Sequence, residues 1–151
     1  NDMIQELFLK NYLIFTPLFA YLIAQVLKTI LYSVMSRKFD YKRLLGSGGM
    51  PSSHAATVVA LATASLKKLG ALSPITAVTF VLAAIVIYDA RGVRQEVGKH
   101  AQILSKIYRN WYGEPDQDNA IKLDEMVGHT PFQVVIGGVI GMVTAFCIPV
   151  I

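Results

Sequence analysis

Charge is what this sequence has least of. Of its 151 residues only 16% are Asp, Glu, Lys or Arg, against 54% hydrophobic residues, and the mean hydropathy is +0.48. Soluble domains carry about 25% charged residues, so a water-facing surface of normal composition is excluded. The shortage is also local: residues 69–88 and 130–151 contain no charged side chain. Cysteine is scarcer still. A lone Cys147 excludes an internal disulfide and a cysteine-based metal cluster. The first residues lack the short apolar stretch and small-residue cleavage site of a secretory leader, so none is expected there. The net charge is +4, but the basic residues flank apolar segments. That is the pattern of a chain bordering a bilayer rather than of a nucleic-acid binder. The sequence reads as one integral-membrane domain over residues 1–151.

Four apolar segments organise it. The first runs from about Tyr12 to Met35 and encloses Gln25 and Lys28. The second, His54 to Leu66, is rich in Ala and Ser, which favours close helix packing. At about 1.5 Å per residue it is too short to cross a core of about 30 Å alone. The third follows Ser73-Pro74, a cap and first-turn pair, and continues to Tyr88 and Asp89. The fourth follows Thr130-Pro131 and contains Gly137-x-x-x-Gly141, a helix-packing motif. In the polar stretch between, Val97, Ala101, Leu104, Tyr108 and Trp111 recur at helical spacing. They predict an amphipathic helix lying on the membrane or folded over a site. Glu114 to Asp118 reads as a loop, and Asn119 to Val127 as a short helix ending at Gly128. The expected fold class is all-α: a polytopic membrane helical bundle of about four membrane segments plus an amphipathic surface helix.

If every segment crosses, ten of the 14 basic residues gather on one face, among them Arg37, Lys42, Arg91, Arg94, Lys106 and Arg109. The positive-inside tendency puts that face in the cytoplasm. The same topology brings two histidines to it, each at the start of an apolar segment: His54 in Gly48-Gly49-Met50-Pro51-Ser52-Ser53-His54, and His129 in Gly128-His129-Thr130-Pro131. Helix starts offer backbone N–H groups and a positive dipole end to an anion.

These residues fit phosphoryl transfer. A neutral His129 imidazole can attack phosphorus and form a phosphohistidine for water to hydrolyse, and needs no metal to do so. Its second nitrogen needs an orienting carboxylate: Glu125, four residues earlier, or Asp89 at long range. His54 suits the general acid for the leaving oxygen. Ser52 and Ser53 offer hydroxyls and N–H groups to the phosphate. Arg91 and Arg94, three apart, can clamp its oxygens, and Lys28 is an intramembrane cation, a functional candidate by default. Plainer readings stand beside these. Ser52 caps a helix, Lys28 snorkels or pairs with a carboxylate, Asp89 neutralises Arg91 or Arg94, and the remaining cations set topology. His100 is given no role.

The three blocks ending in His54, spanning Tyr88-Asp89-Ala90-Arg91-Gly92-Val93-Arg94, and opening with Gly128-His129 together resemble the divergent branch of the type 2 phosphatidic acid phosphatase superfamily. The resemblance covers the chain from about Ile14. That superfamily is helical and includes lipid phosphate phosphatases, bacterial acid phosphatases and vanadium haloperoxidases. Its proline-serine-glycine-histidine motif is similar to Pro51 to His54, with Ser53 in the glycine position. The resemblance implies that His54 is the acid, Ser52 a phosphate ligand and His129 the nucleophile. The family's last arginine falls on Leu123 and its last aspartate on Gln133, a third group able to orient His129. The lysine and Arg-Pro motif has no direct counterpart: Lys28 is followed seven residues on by Met35.

The expectation is a membrane phosphatase of a lipid phosphate or prenyl (di)phosphate in a bacterial plasma membrane. It would act through a phosphohistidine on the cytoplasmic face, without cofactor or nucleic acid. The alternative is an inactive protein binding a phosphate-bearing lipid or nucleotide. A third class is a transporter or assembly component that forms a homo-oligomer through Gly137 and Gly141.

Overall fold

The computed structural model describes residues 11–37, 49–112 and 130–150. Among them the secondary structure is entirely helical. Helix α1 spans Tyr12–Ser36 and stops where Arg37 turns left-handed at φ 53°. Helix α2 spans Ser53–Leu69 with Ser52 as its cap. Helix α3, Pro74–Arg91, begins with proline in its first turn as the Ser73-Pro74 pair predicts, although Ser73 makes no side-chain cap bond. Helix α4, Val93–Tyr112, starts one residue after Gly92, and α5 spans Pro131–Cys147. The expected 114–118 loop and 119–127 helix lie outside the described residues.

Helix α2 is the centre, packing against α1, α3 and α5. Its small residues allow this, one face per neighbour. Ala56 and Ala60 meet Ala20 and Ala24 of α1. Val58 and Ala62 meet Ala83 of α3. Toward α5 the approach is closer still. A Cβ on Gly137 would overlap the Ser52 carbonyl, and one on Gly141 the Ala56 carbonyl. The Gly137-x-x-x-Gly141 pair is therefore consumed inside the chain, against the Ser52 and Ala56 turns of α2. A homo-oligomer assembled through these glycines, the third expected class, is thereby corrected: both are buried and have no surface to offer a second copy.

The pairings fix direction. Lys28 meets Ser53 while Tyr12 reaches Ala145 and Ile148, so α1 runs antiparallel to α2 and α5. One end of the bundle thus collects Lys28, the start of α2 and the start of α5. Ala90 packs with Ala55 and Val134, which brings the end of α3 to the same place. At the opposite end Lys67 donates to the carbonyls of Ala145 (2.6 Å), Phe146 (3.3 Å) and Ile148 (3.0 Å). A helix leaves its last carbonyls without intrahelical donors, and a cation at that end also complements the dipole.

The bundle is built in the reverse of a water-soluble core. Inside are alanines with Thr16, Gln25, Lys28 and Thr29, while Val34, Val78 and Ile85 are more than 60% exposed. An apolar exterior of this extent suits lipid, and small residues inside suit helix packing within it. Two helical runs, Tyr12–Met35 and Pro74–Trp111, are long and apolar enough to cross, and Pro131–Cys147 is a shorter apolar helix.

Candidate functional site

The site is built where α1, α2, α3 and α5 meet. Gly49, in the turn before α2, has φ +86°, a conformation that favours glycine. A Cβ there would lie 3.6 Å from the Lys28 stem, so Gly49 lies beside the aliphatic part of that lysine. Ser52 then caps α2: its Oγ accepts from the Ala55 N–H at 3.3 Å, as N-cap serines do. Its own N–H donates to the Gln133 carbonyl at 3.1 Å. This bond ties the start of α2 to that of α5.

Lys28 lies eight residues before the end of α1, about 12 Å along its axis. It is 3% exposed and points inward, its Nζ donating to Ser53 Oγ at 3.5 Å. Of the two plainer readings, snorkelling is not what the side chain does: its ammonium end turns into the bundle toward Ser53. Ser53 is 2% exposed, and its carbonyl accepts the Thr57 hydroxyl. A buried ammonium is costly unless hydrogen-bonded or paired, and Ser53 Oγ is one partner of this one. His54 is the second residue of α2 and half-buried.

Asp89 is half-buried and Arg91 exposed on either side of Ala90, at the same end of the bundle. Arg94 lies in the first turn of α4, and its side chain is outside the described residues. His129 and Glu125 also lie outside them. Thr130, the neighbour of His129, is described. It caps α5 through a reciprocal box in which its Oγ1 accepts from Gln133 N–H at 3.3 Å and its N–H donates to Gln133 Oε1 at 3.1 Å. Gln133 therefore has a cap's work, with its side-chain oxygen committed to Thr130. Among the described residues no three His, Cys, Asp or Glu side chains gather to hold a metal.

Gly49 and the Gln133 carbonyl were not singled out by sequence reasoning. The spacing Ser52-x-x-x-Ala56, matched by Gly137-x-x-x-Gly141, carried the signal for the close approach of α5. A backbone acceptor leaves no trace in sequence.

A bundle with small residues and an ammonium inside and long apolar side chains outside is a helical membrane protein. The chain belongs to the Divergent PAP2 family, whose model matches residues 9–144. It is 34% identical over 144 residues to the uncharacterized membrane protein YuiD of Bacillus subtilis (strain 168), covering 89% of this chain and 91% of the relative. No solved structure matches it.

Proposed function

We propose that the protein is a membrane phosphatase that hydrolyses a lipid phosphate or prenyl (di)phosphate through a phosphohistidine. The observation that carries this reading is the Lys28 ammonium, 3% exposed, set against Ser53 at the start of α2. An anion there meets a cation, a hydroxyl and the positive end of a helix at reduced dielectric, where such contacts strengthen. Membership in the Divergent PAP2 family supports the same chemistry.

In this reading His129 attacks phosphorus and the bond from phosphorus to the lipid oxygen breaks. Imidazolium His54 gives its proton to that oxygen. Water then attacks the phosphohistidine, returning a proton to His54 and releasing inorganic phosphate. Arg91 and Arg94 balance the charge on the equatorial oxygens. Glu125 or Asp89 orients the nucleophile, and Ser52 keeps the helix start in place. The positive-inside tendency of the basic residues in the sequence supports a cytoplasmic site.

Phosphate release from a panel of lipid phosphates by purified protein is the test. Turnover abolished in His54→Ala and His129→Ala supports the reading, and no turnover of any of them by well-folded protein overturns it. A second reading, a binder without turnover, is favoured by Gln133. Glutamine cannot stabilise an imidazolium as a carboxylate does, and this one is engaged by Thr130. Saturable binding that survives His129→Ala would select the binder.

A further inference from the structure

Small residues close the seams around α2, but α1 and α5 part from each other. An apolar groove of about 540 Å³ opens between them, lined by Phe19, Ile23 and Leu27 of α1 and by Val139, Val143 and Cys147 of α5. The Thr144 hydroxyl at its wall donates to the Ile140 carbonyl at 2.7 Å, leaving its methyl group for the groove.

We propose that this groove holds one hydrocarbon chain of the lipid whose phosphate lies at Lys28 and Ser53, making the ligand class a long-chain lipid phosphate. The proposal rests on reading the Lys28–Ser53 niche as a phosphate site. Register supports it. Leu27, the groove residue nearest the site end of α1, is the covalent neighbour of Lys28, and the groove descends from there past Ile23 to Phe19. At the far end, beside Cys147, the Lys67 ammonium already donates to three carbonyls of the α5 terminus, and the proposal sets the phosphate at the Lys28 end. The groove's volume is ordinary for a small-molecule site.

Cys147 is the only cysteine, is exposed and lines the groove, so its alkylation rate reports occupancy in the intact chain. In nonionic detergent, a non-hydrolysable sixteen-carbon alkyl phosphonate is expected to slow maleimide labelling by about tenfold. A six-carbon phosphonate and inorganic phosphate at the same concentration should leave the rate unchanged, and Lys28→Met should remove the long-chain protection. Equal protection by the uncharged sixteen-carbon alcohol overturns the proposal, since the chain would then bind without its phosphate. Protection that grows with protein concentration alone also overturns it, in favour of a second copy. The two readings separate cleanly. Phosphate release without Cys147 protection leaves the phosphatase standing and removes the groove. Lys28-dependent protection without turnover keeps the groove and removes the phosphatase.

Discussion

The Ser52 N–H donates to the Gln133 carbonyl at 3.1 Å, joining the start of α2 to the start of α5. Around this bond the helices approach so closely that Gly137 has the Ser52 carbonyl where a Cβ would stand. Gly137→Ala must therefore push the two starts apart. Overpacking of this kind costs about 1–3 kcal/mol, and phosphate release should fall with thermal stability in detergent. Gly138→Ala is the control, because its Cβ meets only a Val59 methyl at 3.5 Å; both quantities should hold. Equal behaviour of the two variants would show that the close approach does not set the site.

Lys28 separates a functional from a structural role. An apolar side chain of similar length in place of the Lys28 ammonium removes the desolvation cost of a buried charge. Lys28→Met is expected to hold or raise the unfolding temperature while lowering phosphate affinity by at least about tenfold, the loss of a charge-assisted contact. Loss of folding together with binding would make Lys28 a structural residue instead.

Lys67 should behave in the opposite way. Its ammonium serves the Ala145, Phe146 and Ile148 carbonyls far from the site. Lys67→Met leaves those acceptors short of a donor, at about 1–3 kcal/mol, with turnover of the folded fraction unchanged. Thermal unfolding and phosphate release on the same sample check both halves.

Glu96 is exposed on α4, the polar, amphipathic part of the Pro74–Trp111 run, and gives a pH signature there. Its carboxylate accepts from Lys99 Nζ at 2.6 Å, and that bond, with the Lys99 charge, holds its pKa below the ordinary carboxylate value. A lowered folded pKa means that the pair's support of α4 is present above the unfolded value. It is lost as pH falls through the folded one. An NMR titration of the Glu96 carboxyl carbon should show a depressed midpoint that Lys99→Gln returns upward; an unchanged midpoint in that variant would remove Lys99 as the cause.

The helices were legible because a bilayer imposes strict demands on composition. Charge-free runs with Ser73-Pro74 and Thr130-Pro131 marked two of the segments and their starts. The convergence of Lys28 with the Ser52-Ser53-His54 start was also foreseeable, since antiparallel crossings of known length place those residues at one level. The use of the small residues was not. Gly137 and Gly141 read equally well as a surface for a second copy or for α2, because the motif specifies close approach and not a partner.

What the sequence by itself determined is the solvent this chain folds in and the order of its apolar helices. Hydropathy and charge are additive along a chain, so they survive without coordinates. Only the tertiary structure decided that Lys28 turns inward to Ser53, that Gln133 works as a cap and backbone acceptor, and that α1 and α5 stand apart enough to leave a groove. Those outcomes depend on which small residue faces which carbonyl, a matter of packing geometry between segments distant in sequence.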